Sequence, residues 1–162
     1  MRSYKTPVFL TAVLAAGLVS APSLGSEAYC GTFELIGDVK TVTLIDVPPE
    51  GDSIGDIRTG IMDFIDPRTD DVIKLHYRNK IIEVGDDDVH KFVGDHVWEF
   101  PDGDLLFTRN LYYRTNDTRP RGMASKATNG IVGGTGAFAR VRGEITGPPG
   151  DAPVRRFDLD CG

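Results

Sequence analysis

From Cys30 onward, apolar and polar residues alternate with a period of two, and no segment sustains a helical period. Val72 to Val84 carries the clearest pattern. Ile73, Leu75, Tyr77, Asn79 and Ile81 fall on one side, and Lys74, His76, Arg78, Lys80 and Ile82 on the other. The first set is predicted to face a core, the second solvent or a subunit contact. Ile57 to Ile65 alternates between Ile57/Thr59/Ile61/Asp63/Ile65 and Arg58/Gly60/Met62/Phe64. Further strands are predicted at Thr32 to Ile36, Val39 to Val47, Val97 to Phe100, Leu105 to Thr115, Lys126 to Val132, Phe138 to Thr146 and Val154 to Leu159.

The links between these runs are rich in turn residues. Pro48-Pro49-Glu50-Gly51-Asp52 excludes a central strand. Asp66 to Asp71 reads as a turn, and Gly85 to His90 as an acidic loop. Asp102-Gly103 between apolar runs is a hairpin signal. Asn116 to Met123 and Gly147-Pro148-Pro149-Gly150 read as further connections. The spacing predicts an all-β domain of about eight strands, a sandwich or barrel, without internal repeat.

The chain is organised around residues 129–145. Ile131 and Val132 end one strand. Gly133, Gly134 and Gly136 form a corner, Phe138 is a large anchor, and Val141, Gly143 and Ile145 alternate along the next strand. A dinucleotide loop would have to open a helix here, whereas a strand pattern follows.

Residues 1–26 read as a secretory signal. A basic start precedes an apolar run from Val8 to Ala21, then small residues before Glu27, with cleavage near Ser26 or Ala28. The run is short for a membrane-spanning helix. The mature domain is then 27–162, secreted or periplasmic, with no membrane association after cleavage. Export makes a disulfide between Cys30 and Cys161 the expectation, which brings the two ends of the domain together as a closed barrel requires. The net charge of −6 argues against nucleic acid and anionic membranes as partners. Asn116-Asp117-Thr118 is a glycosylation sequon if the source is eukaryotic.

Gly133-Gly134-Thr135-Gly136-Ala137-Phe138, followed by Arg142-Gly143, resembles the hallmark of the allene oxide cyclase and dirigent superfamily. Gly55-Asp56 opening the strand to Asp66 is similar to the start of the cyclase domain, while Leu44-Ile45-Asp46-Val47-Pro48-Pro49-Glu50-Gly51 resembles a dirigent stretch. The resemblance implies a closed antiparallel eight-stranded β-barrel, commonly a homotrimer. The cyclase's interior Asn position falls on Met62 and its Cys position at or beside Asn79 or Lys80. Asp46 and Arg142 match an acid and an arginine of the dirigent pocket, which makes them the candidate catalytic pair.

Arg58, Arg109 and Arg142 lie on strands. An inward guanidinium would need an anionic partner or ligand, and an outward one would serve a surface or trimer contact. Tyr77, Tyr112, Tyr113, Phe107 and Trp98 could line a pocket or simply pack, and only one of Tyr112 and Tyr113 can point inward. The candidate ligand-binding set is Arg58, Tyr77, Asn79, Arg109 and Tyr113. His76, His90 and His96 with Asp86, Asp87 and Asp88 match no metal signature, so these read as solvated turns and neither metal nor cofactor is expected. No nucleophile–base arrangement is evident. The expected function is binding of a small apolar or phenolic molecule, with guidance of its cyclisation or coupling. The alternatives are a cofactor-free cyclase or isomerase, and a non-catalytic secreted interaction protein.

Overall fold

The structure, a computed structural model, describes residues 25–85, 89–115, 127–147 and 154–162. Residues 1–24 of the predicted signal segment, the Asp86–Asp88 acids and the Asn116 sequon lie outside the described residues. Eight strands run β1 (Gly31–Ile45), β2 (Ile57–Ile65), β3 (Val72–Val84), β4 (Val89–Glu99), β5 (Leu105–Thr115), β6 (Ala127–Gly134), β7 (Arg142–Gly147) and β8 (Val154–Asp160). Each pairs antiparallel with the next, and β8 returns to β1, closing an eight-stranded barrel. Two predicted strands, Thr32 to Ile36 and Val39 to Val47, are one strand, β1, with a register shift between Val39 and Thr41.

Strand β4 is longer than its sequence pattern predicts. Gly85 to His90 reads as a loop, yet β4 begins at Val89 and its inner face is His90, Phe92, Gly94, His96 and Trp98. Its buried side mixes histidines and glycine with aromatics, so the apolar alternation that marks the other strands is absent. The histidines at 90 and 96 are 3% and 9% exposed, which corrects their reading as solvated turn residues. The inner face predicted for β3 is observed: Ile73, Leu75 and Ile81 are buried.

The barrel has a filled end and a polar end. The filled end holds the aromatic core. Phe33 stacks on Phe157 at 4.6 Å, and Trp98 meets both Phe157 and Phe64 at 5.0 Å. Tyr29, from the 3-10 turn Ser26–Tyr29, closes this end against Phe100, which in turn packs on Phe138. The Cys30–Cys161 disulfide forms beside it, with a Cα separation of 5.8 Å. The glycine corner holds the plug. A Cβ on Gly134 would lie 2.5 Å from Phe138 Cβ, so only glycine lets the anchor seat. Among the described residues no helix is long and apolar enough to cross a membrane.

Candidate functional site

The strand register carries one row of inward residues around the barrel: Leu44 opposite Arg58, then Asn79, Gly94, Asn110 and Asn129. The row continues through Ile145 and Phe157 into the aromatic core. Half the row is therefore polar. Asn110 and Asn129 are 7% and 2% exposed. Gly94 makes the room: a Cβ there would stand 2.3 Å from both Asn79 Oδ1 and Asn110 Oδ1, and 2.9 Å from His96 Nε2.

The next inward row, toward the filled end, is Gly60, Tyr77, His96, Thr108 and Ile131. His96 Nε2 lies 3.2 Å from Asn79 Oδ1. The carbonyl oxygen can only accept, so Nε2 carries the proton and Nδ1 presents a lone pair. Burial, reinforced by the positive charge of Arg155, pushes the His96 pKa down to about 4, so the ring is neutral near pH 7. Thr108 accepts a hydrogen bond from the Trp98 indole at 3.2 Å, placing the chain's one tryptophan at the floor of this region.

Several buried polar atoms here have no hydrogen-bond partner among the described residues: His96 Nδ1, Asn110 Oδ1, Asn129 Oδ1 and, nearer the rim, His90 Nδ1. Buried polar atoms are normally paired, and each orphan costs about 1–3 kcal/mol. Three of the four, on His96, Asn110 and Asn129, lie in adjacent inward rows.

Among the described residues two arginines enter the barrel. Arg58 lies over the Phe92 ring at 5.4 Å and pairs with Asp52 at 3.6 Å. Asp52 also meets His90 Nε2 at 3.3 Å. Its loop is stapled by buried Asp56, which accepts from Val47 N at 2.8 Å, Ser53 N at 2.9 Å and Ser53 Oγ at 3.0 Å. Those hydrogen bonds, led by the one from Val47, hold the Asp56 carboxyl below its usual range. Arg155 differs. It is inward because it shares the parity of Phe157 and Leu159, and a Cβ on Gly147 would stand 2.9 Å from its guanidinium. Its hydrogen bond among the described residues goes to the Val154 carbonyl at 2.8 Å, with no carboxylate. Burial lowers its pKa.

The region opens to solvent. Above Ile36, β1 pairs with β2 and no longer with β8. Val42 and Leu44, in register with the inward residues Gly60 and Arg58, are 47% and 54% exposed. The rim also carries the stacked pair Phe92 and Tyr112 beside Ile81.

The sequence-derived candidates divide cleanly. Arg58, Tyr77 and Asn79 meet on the inner wall. Arg109 is outside, ion-paired with Asp95 at 3.0 Å. Tyr113 is outside beside Lys91, and the inward partner of that pair is Tyr112. Asp46 is exposed in the β1–β2 loop, and Arg142 is exposed at the opposite end of the barrel on β7. Alternation explains both tyrosine and arginine placements, since Thr108 and Asn110 flank Arg109 and take the inward positions. Sequence reasoning missed His96, Asn110, Asn129 and Arg155. The parity of Phe157 alone would have placed Arg155 inside. Among the described residues no three His, Cys, Asp or Glu side chains converge as a metal set.

A second concavity lies outside the barrel, an open groove of about 450 Å³ lined by Ile61, His76, Val97, Phe107 and Val132. Those five residues belong to outward rows, and the groove also borders Gly60, Tyr77, His96 and Thr108 of the inward row.

No protein-family model matches this chain, and no curated protein matches it by sequence. Among solved structures it is similar to pyocyanin demethylase, with a TM-score of 0.63 and 20% identity over 80% of this chain and 99% of that chain. At that identity the likeness establishes the fold alone. It is the closed antiparallel barrel implied by the glycine-corner motif, without an assignment to the allene oxide cyclase and dirigent superfamily.

Proposed function

We propose that this protein is an exported barrel of the allene oxide cyclase and dirigent kind that binds a small apolar or phenolic molecule in its polar half. The observation that carries the reading is the set of buried polar atoms without a partner among the described residues, His96 Nδ1, Asn110 Oδ1 and Asn129 Oδ1, in two adjacent inward rows beside an aromatic floor and an open rim. Such a compartment offers apolar walls and a few convergent polar groups, which is what small-molecule sites use. The neighbour's name is that of an enzyme acting on a small molecule, which favours the same use of the interior. A disulfide fits an oxidising compartment.

A catalytic version of this reading rests on His96. A neutral imidazole with a free lone pair can accept a proton from a bound hydroxyl, which suits a cofactor-free cyclase or isomerase. The outer groove favours a separate role, seating a second copy in a homotrimer.

Trp98 supplies the test. Titration of the protein with 2-naphthol, followed by indole fluorescence, should give saturable one-to-one quenching. Gly94→Phe, which fills the interior, should abolish it. A linear, non-saturating response in the wild type would refute an interior binding site.

A further inference from the structure

Among the described residues two guanidiniums lie inside the barrel, and their surroundings differ in one respect. Arg58 has a carboxylate, Asp52, at 3.6 Å. Arg155 has a backbone carbonyl and, among the described residues, no carboxylate. A guanidinium cannot shed its proton, so a half-buried one without a counter-ion stays charged and poorly solvated. The phenol of Tyr112 lies within its electrostatic reach, and so does the His96 ring. The His96 ring is neutral near pH 7. Gly147 leaves the guanidinium its space, since a Cβ there would stand 2.9 Å from Nη1 and push it aside.

Around Arg155 the compartment offers acceptors. His96 Nδ1 presents a lone pair, and the amide oxygens of Asn110 and Asn129 have no partner among the described residues. The three side chains are at least nine-tenths buried. One cation surrounded by acceptors is the complement of a molecule with one anionic oxygen group and a hydrogen-bond donor.

We propose that the interior site takes a small organic anion, an aromatic carboxylate, whose carboxylate is held by Arg155 while the ring rests against Phe92 and Tyr112. This rests on the interior-binding reading above and narrows its ligand class. Arg155 has two parallel N–H edges suited to a carboxylate. The bound anion neutralises the cation beside His96, so binding shifts the imidazole toward protonation. A ligand bearing a hydroxyl then has an acceptor waiting at Nδ1. The −6 charge of the whole chain opposes approach of an anion, which makes a dedicated internal cation more necessary.

The test compares 2-naphthoate with its neutral counterpart 2-naphthamide by calorimetry on the mature protein, with 2-naphthol as reference. The carboxylate should bind about tenfold or more tightly than the amide, the scale of one charge-assisted contact. Arg155→Gln should erase that preference and leave amide binding intact. Arg109→Gln, on the outer surface, should leave it unchanged. Equal affinities for naphthoate and naphthamide in the wild type would overturn the anion assignment, and that comparison needs no variant to fold. If 2-naphthol binds while the two others do not differ, interior binding stands and only the ligand class falls. If none of the three binds, the interior-binding reading itself falls and this proposal with it.

Discussion

His96 Nε2 and Asn79 Oδ1 face each other at 3.2 Å across the β3–β4 ladder, and that contact fixes which nitrogen of the ring is protonated. The ring is buried, and its pKa of about 4 lies below the ordinary 6.5. The unfolded chain therefore takes up a proton between those two values that the folded protein refuses. Stability contributed by neutral His96 is complete above about pH 6.5 and declines as pH falls toward 4. The slope from this one group is at most about 1.4 kcal/mol per pH unit. Urea melts at pH 4.5, 5.5 and 6.5 should show that decline, and His96→Gln should flatten it. Asp56, Asp66 and Asp102, all held below 3.8, act in a separate and more acidic window. Identical pH slopes in wild type and variant would contradict a buried neutral imidazole.

Asn110 should trade stability for function. Its Oδ1 is buried without a partner among the described residues, and Leu has nearly the same shape. Asn110→Leu is expected to raise stability by about 1–3 kcal/mol, the penalty of an unmade hydrogen bond. The same change should weaken 2-naphthol binding. A denaturant midpoint that falls would mean the amide is satisfied in solution and contributes to folding.

How much of this was legible in the chain depends on what each strand faces. Strand β3 was read correctly down to its inner residues, because Ile73, Leu75 and Ile81 mark the core side without ambiguity. Strand β4 was cut short because its inner side carries His90, Gly94 and His96, residue types that sequence patterns assign to loops. The site and the misread strand are the same place: a polar patch inside a barrel erases the alternation that would reveal it. Arg109 was a reasonable candidate by residue type and failed by parity, since Thr108 and Asn110 hold the inward positions. Arg155 had the right parity but sat in a short terminal strand with nothing else to single it out. The glycine corner was legible as a corner, although residues 136–138 form a 3-10 turn and β7 starts at Arg142, later than the predicted Phe138.

Two glycines of the barrel should respond oppositely to alanine. Gly143 has φ +130°, and a Cβ there would collide with the Asp158 carbonyl. Gly143→Ala should cost at least about 1–3 kcal/mol from backbone strain alone. Gly130 has φ outside that range and would place its Cβ 3.8 Å from Arg109 O, an ordinary contact. Gly130→Ala should be neutral or stabilising by up to about 1 kcal/mol. Thermal melts of the two variants check the pair, and similar losses at both positions would contradict the backbone assignment at Gly143.

The Cys30–Cys161 bond spans 131 residues and joins the entry to β1 with the exit from β8. Closing so long a loop stabilises by about 4–5 kcal/mol in the chain-entropy model. A Cys30→Ala/Cys161→Ala protein should unfold at markedly lower denaturant, while the unbridged β1–β8 ladder still forms. A midpoint that is the same with and without reductant would show that this bond is not what holds the barrel's seam.

The central claim is that the ligand enters the polar half of the barrel and leaves the outer groove untouched. The most direct measurement is the NMR response of ¹⁵N-labelled side-chain amides and backbone signals to 2-naphthol. Saturable shifts are expected at the Asn79, Asn110 and Asn129 side-chain amides and the Trp98 indole, with Ile61, Val97, Phe107 and Val132 unmoved. Shifts confined to that outer set would place the binding surface on the outside of the barrel and contradict it.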